Sequence, residues 1–173
     1  MKRIAAVTVG RSDFGIFRPV FRAVEKHPDL QLVIIAAGAH LVPDFGGTIR
    51  EIEQEGFEIA ERVEMLLAGD SPGSIARSMG LGAIGFSRAY EHLNPDVLLL
   101  LGDRFEMHSA AVSAVPFNLP LAHIHGGEVT SGAIDDALRH SITKLSHLHF
   151  VSTEKYAARL AQMGEEEWRI SVT

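Results

Sequence analysis

The stretch PDVLLLLGDRFEMHSAAVSAVPFNLPLAHIHGGE, running from Pro95 to Glu128, decides how the chain is read. Its two apolar runs, Val97–Leu101 and Leu119–Ile124, have the length of strands, and each stops at a glycine flanked by ionisable residues. A run that is apolar on both faces predicts a strand covered on both sides, the condition of a parallel sheet. Between the runs, Phe105, Val112 and Val115 form an apolar stripe at helical spacing. Ala110, Ala111, Ser113 and Ala114 are small enough to bring that helix close to the sheet. The stretch is therefore a βαβ unit. Because ligands in open α/β sheets bind beyond the carboxyl ends of the strands, Gly102-Asp103-Arg104 and His125-Gly126-Gly127-Glu128 are expected at one crevice.

Working outward towards the N-terminus, Ile4–Val9 reads as a buried first strand. It ends in Gly10-Arg11-Ser12-Asp13-Phe14-Gly15 ahead of a helix marked by Phe17, Phe21 and Val24. The glycine pattern is not G-x-G-x-x-G, which disfavours a dinucleotide site. The helix start can still bind an anion, with Arg11 supplying charge and Asp13 capping the helix or orienting the loop. Leu30–Ala37 is the next apolar run, and its exit, Gly38-Ala39-His40-Leu41, makes His40 a candidate contact. Gly46-Gly47 leads into a short helix. Phe57–Met65 alternates and reads as an edge strand, and Ser74–Leu93 is a helix containing Gly80, Gly82 and Gly85, which mark either close packing or a break.

Beyond Glu128, Ile134, Leu138, Ile142 and Leu145 give Ala133–His147 one apolar face. Asp135 with Arg139 and Asp136 with His140 stand at i,i+4 spacing and can pair along its surface. Leu148–Val151 is a sixth strand, and Ser152-Thr153-Glu154 offers caps for the helix Lys155–Met163. The expectation is a six-stranded parallel sheet flanked by helices. The alternating Trp168–Thr173 resembles the start of one more strand, and the chain reads as the first domain of a longer protein.

Composition narrows the function. The 173 residues are 46% hydrophobic, enough for one well-cored domain. A net charge of −6 with no basic run argues against nucleic acid, and the absence of cysteine excludes disulfides and thiolate catalysis and fits a cytoplasmic protein. No signal peptide or membrane-spanning run is read. His123, His125, Glu128, His140, His147 and His149 invite a metal reading, but no H-e-x-x-h type of spacing appears, so hydrogen-bonded histidines without a metal are expected. No G-x-S-x-G elbow supports a serine hydrolase. What remains is a crevice where Asp103, Glu128, Asp135 and Asp136 converge. Neighbouring carboxylates raise one another's pKa, which suits general acid and base work.

These pieces in order carry a resemblance. The set Gly10-Arg11-Ser12-Asp13, Gly38-Ala39-His40-Leu41, Gly102-Asp103-Arg104-Phe105, His123-Ile124-His125-Gly126-Gly127-Glu128, Ile134-Asp135-Asp136, Arg139-His140 and Ile142-Thr143-Lys144-Leu145 spans the chain. It resembles the N-terminal domain of the hydrolysing UDP-N-acetylglucosamine 2-epimerases of sialic acid biosynthesis. The resemblance implies a Rossmann-like domain, residues 1–173, that forms the N-terminal half of a two-domain GT-B fold and belongs to a homo-oligomeric protein. It implies elimination of UDP across C1–C2 of the sugar to a glycal-type intermediate, hydration to N-acetylmannosamine, and no cofactor. Under it, Arg11 and Arg104 approach the diphosphate, Asp13 orients the first loop, and His40, Arg139 and His140 line the substrate. Asp103 with Asp135 or Asp136 serves the proton transfers. Some family members carry a carboxylate where this chain has His125, so the base there is His125 or Glu128. The nearest alternatives are a 2-epimerase of a UDP-diacetamido-trideoxy sugar, as in legionaminic acid synthesis, and a non-catalytic nucleotide-sugar-binding domain.

Overall fold

The computed structural model describes residues 1–131 and 134–173. Among the described residues seven strands form one sheet in which every pairing is parallel: β1 (Lys2–Thr8), β2 (Leu30–Ala37), β3 (Ile59–Val63), β4 (Val97–Leu101), β5 (Leu121–Ile124), β6 (Leu148–Val151) and β7 (Ile170–Val172). Their order is β3-β2-β1-β4-β5-β6-β7. The count corrects the expected six. Ile170–Val172 completes a seventh strand against β6, with His149 opposite Ile170 and Val151 opposite Val172.

The helices connect successive strands: α1 (Arg11–Lys26), α2 (Ile49–Gln54), α3 (Pro72–Leu93), α4 (Phe105–Ala114), α5 (Asp135–Leu145) and α6 (Glu154–Gln162). Among the described residues α5 starts at Asp135, and the expected start at Ala133 lies outside them. Thr153 caps α6 by accepting from the Tyr156 N–H at 3.3 Å, as the sequence predicts. Parallel pairing requires crossovers, so every strand leaves by the same edge of the sheet. The order reverses between β1 and β4, and this switch opens the crevice between their exit loops.

Packing resolves the three glycines of α3, which runs unbroken. A Cβ on Gly82 would stand 2.7 Å from Ser109 Oγ of α4, and one on Gly85 would stand 2.5 Å from Val63 Cγ1 of β3. Both glycines are close-packing residues, whereas Gly80 faces open space. On the side of α1, Phe17 stacks on Phe21 at 5.0 Å and Phe57 meets Phe21 edge-on at 5.5 Å. Offset and edge-on pairs of this kind add about 0.5–1.5 kcal/mol to burial alone. The sheet and these clusters make a rigid floor, and the loops at its carboxyl edge carry the polar chemistry.

Candidate active site

The loops after β4 and β5 are fixed to each other before any side chain acts. Gly102 N–H donates to the Ile124 carbonyl at 2.9 Å, and His125 N–H donates to the Phe150 carbonyl at 2.9 Å. The buried His123 adds a third tie. Its Nε2 lies 2.7 Å from the Gly102 carbonyl and its Nδ1 lies 3.2 Å from Thr143 Oγ1. A carbonyl only accepts, so Nε2 carries the hydrogen and Nδ1 accepts from the threonine hydroxyl. Burial disfavours the imidazolium and pulls this pKa down to about 3. The neutral ring thus holds in place the residue that precedes Asp103.

Arg139 of α5 organises the acids. Its Nη2 donates to Asp103 Oδ2 and, at 3.2 Å, to Thr130 Oγ1, while its Nη1 donates to the His125 carbonyl at 2.7 Å and stands 3.6 Å from Glu128 Oε2. Thr130 Oγ1 also donates to Asp103 Oδ2 at 3.0 Å. The arginine side chain is only 7% exposed, against 19% for Asp103 and 26% for Glu128. The i,i+4 pairing of Arg139 with Asp135 expected from the sequence is corrected, because the guanidinium turns inward to these acids instead. Asp103 and Glu128 come together at this crevice with a buried cation, Arg139, standing between them. Paired charges survive burial where isolated ones do not.

Around this knot the other residues take distinct places. His125 adopts φ +64°, a left-handed conformation uncommon outside glycine, and its Nδ1 stands 3.6 Å from Glu128 Oε1. Glu128 also accepts from Ser152 Oγ at 3.1 Å, which brings the β6 exit into the site. The glycines between them are there for space. A Cβ on Gly127, at φ +78°, would fall 2.5 Å from Leu160 Cδ1 and 2.7 Å from the Tyr156 carbonyl of α6. Asp136 accepts from the Thr130 N–H at 3.1 Å and stands 3.6 Å from His140 Nε2, the second i,i+4 pair read from the sequence.

On the other side of the switch, Arg11 is the first residue of α1, 78% exposed, with its Nε 3.4 Å from Glu51 of α2. Asp13 does not cap that helix. The N-cap is Gly10, without a side-chain cap, and Asp13 is buried within the first turn. Burial raises its pKa, opposed by the positive charge of Arg104. Arg104 leads into α4 and pairs with the buried Glu106 at 3.1 Å. Burial pulls the Arg104 pKa down, but the carboxylates of Glu106, Asp13 and Asp135 outweigh it and raise the pKa overall. His40 lies elsewhere than a surface contact would. It is fully buried, with Nε2 2.9 Å from Thr8 Oγ1 and Nδ1 2.7 Å from Thr48 Oγ1, and burial lowers its pKa to about 4. It ties the β2 exit loop to β1.

Sequence reasoning passed over Glu106, Thr130 and Ser152 as site residues, and read His123 only as a metal-ligand candidate rather than as the neutral tie to Gly102 and Thr143. Of the three passed over, only Glu106 left a signal, the one acidic residue in the first turn of a helix whose other buried positions carry Met, Ser and Ala.

A family model described as UDP-N-acetylglucosamine 2-epimerase matches residues 22–173. The chain is similar to the GDP/UDP-N,N'-diacetylbacillosamine 2-epimerase (hydrolyzing) of Campylobacter jejuni, at 48% identity over 98% of this chain and 44% of that protein. It is similar to the UDP-N,N'-diacetylbacillosamine 2-epimerase (hydrolyzing) of Legionella pneumophila, at 42% identity over 96% of this chain and 44% of that protein. Among solved structures, the UDP-GlcNAc 2-epimerase of Neisseria meningitidis bound to UDP-GlcNAc superposes with a TM-score of 0.87 at 18% identity, over 99% of this chain and 45% of that one. The chain therefore spans under half the length of the proteins it matches.

Proposed function

The chain belongs to the UDP-N-acetylglucosamine 2-epimerase family, and from that premise we propose that it is the N-terminal domain of a two-domain hydrolysing UDP-sugar 2-epimerase. The observation that carries the reading is the Arg139 knot, which seats Asp103 and Glu128 beside His125 at the carboxyl edge of the sheet. That arrangement supplies proton-transfer groups on a fixed frame, with cationic Arg104 on the same β4 exit loop as Asp103 and Arg11 across the switch for a diphosphate.

The proposed reaction is redox neutral and needs no cofactor. A base takes the proton from C2 of the sugar, the electrons form the C1–C2 double bond, and the C1–O bond to UDP breaks. Water then adds its oxygen at C1 while C2 regains a proton on the opposite face. His125 with Glu128 and Asp103 divide these transfers, Asp135 and Asp136 support them from the start of α5, and Arg104 with Arg11 offsets the charge gathering on the leaving diphosphate. Arg139, His140 and His40 hold the loops.

For the sugar, we favour the 2,4-diacetamido-2,4,6-trideoxy substrate over N-acetylglucosamine, the first expectation from the sequence. Both relatives described above are named for diacetylbacillosamine, at 48% and 42% identity. N-acetylglucosamine is the second reading, supported by the family model's description. The test is to give the whole protein each UDP-sugar in D₂O and follow the products by NMR. UDP release with deuterium at C2 of a 2-epimerised free sugar is the expected result, faster for the diacetamido substrate. Release of UDP without C2 exchange would remove the elimination mechanism.

A further inference from the structure

The first turn of α4 carries a carboxylate to which the reaction just described gives no part. Glu106 has no exposed surface, yet its oxygens take the Arg104 guanidinium side-on, from Nε to Oε2 at 3.3 Å and from Nη2 to Oε1 at 3.1 Å. Arg104 itself is 45% exposed, so the pair runs from the interior to the crevice. A buried carboxylate is costly unless it is paired, and the helix start offsets only part of that cost. The exit of β2 closes over it. Gly38, at φ +58°, passes where a Cβ would lie 3.1 Å from Glu106 Oε1 and 3.0 Å from the Val9 carbonyl, so glycine lets this loop seal one side of the carboxylate.

The side-on geometry decides what is left for a ligand. A guanidinium has five N–H donors, and Glu106 takes Nε–H with one hydrogen of Nη2. Among the described residues nothing else hydrogen-bonds the guanidinium, so its end-on edge, shared by Nη1 and Nη2, keeps two parallel N–H groups, the arrangement that binds a phosphate bidentately. We propose that Glu106 is a positioning residue for substrate recognition: it locks Arg104 so that the free edge of the guanidinium meets the diphosphate of the nucleotide sugar already aligned. This rests on the function proposed above. An arginine side chain has many rotamers, and one ordered before binding does not lose that freedom on binding.

The experiment is a double-mutant cycle on UDP binding by the whole protein, read by calorimetry with kcat and KM measured alongside. Glu106→Gln keeps the volume but loses the charge, and Kd and KM should rise about 10-fold while kcat moves far less, the scale of a hydrogen bond to a charged group. Arg104→Ala should weaken UDP binding at least as much. The double variant should bind no more weakly than Arg104→Ala alone, because Glu106 acts only through Arg104. Glu106→Asp, which keeps the charge, should restore part of the affinity, and it carries the cycle if Glu106→Gln melts below the assay temperature. Unchanged UDP affinity in the Glu106 variants, or an equal loss with and without Arg104, overturns the proposal. Wild-type protein that binds UDP but turns over neither sugar overturns the proposed reaction alone, while wild-type protein that binds no UDP overturns both.

Discussion

Arg139 meets Asp103 across 36 residues of sequence, and through that ion pair the helix after β5 is locked to the loop after β4. The N-cap of α4 is Arg104 and makes no side-chain cap bond, so Asp103 has no capping role to lose. Its carboxylate serves the buried guanidinium on one side and the crevice on the other. Asp103→Asn should therefore lower both stability and rate. The amide still accepts one bond but leaves a buried cation undercompensated, for a loss of about 1–3 kcal/mol. Removal of a proton-transfer group costs about 10²–10⁴-fold in turnover. Urea denaturation and steady-state kinetics on the same variant check both, and turnover near that of the wild type would take Asp103 out of the mechanism.

The parallel sheet and the crevice were legible because strand apolarity, crossover length and the rule of carboxyl ends are local or topological properties. Arg139 was not legible in its real role. Its i,i+4 spacing to Asp135 is written in the sequence, while its pairing with Asp103 exists only once β4 and β5 lie side by side. His40 reads from the sequence as a candidate contact on the β2 exit loop, and only the approach of Thr8 and Thr48 shows its ring buried with both nitrogens hydrogen-bonded. The seventh strand was too short to weigh as more than a beginning, since Ile170–Val172 gains its order from β6.

The glycines of α3 separate propensity from packing. Gly80 is exposed and open, so Gly80→Ala should stabilise the protein by about 0.5–1 kcal/mol through helix propensity. Gly85→Ala sets a methyl against the stiff, branched Val63 and should cost about 1–3 kcal/mol. Thermal melts of the two variants should move in opposite directions. A stabilising Gly85→Ala would show that α3 and β3 are not in close contact.

Acid should loosen the site from beneath. The folded-state pKa of His123, about 3, and of His40, about 4, lie below the ordinary value of 6.5 because both rings are buried. Between those values the unfolded chain binds protons that the native protein refuses, so the stability they contribute is full above pH 6.5 and falls as pH drops towards 4. By pH 4.5 each should have lost roughly 2–3 kcal/mol. His123→Gln keeps a donor for the Gly102 carbonyl and an acceptor for Thr143 but cannot titrate. Its melting temperature should fall less steeply than that of the wild type between pH 7 and 4.5, and coincident slopes would deny His123 this part.

His125 offers the sharpest division between a backbone role and a chemical one. Its left-handed φ of +64° costs most residues about 1 kcal/mol, and asparagine is among the few side chains enriched there. The Arg139 bond goes to the His125 carbonyl, and the strand-like tie goes from its N–H to Phe150, so neither needs the imidazole. His125→Asn thus preserves the turn and both backbone bonds while removing the ring that stands 3.6 Å from Glu128. The melting temperature should stay close to that of the wild type. Turnover should fall about 10²–10⁴-fold, as for loss of a general acid or base, with KM for the UDP-sugar little changed because the phosphate-facing arginines are untouched. If turnover persists within a few-fold, the imidazole is a bystander. Glu128→Gln, which leaves the turn equally intact, would then be the variant that silences C2 exchange.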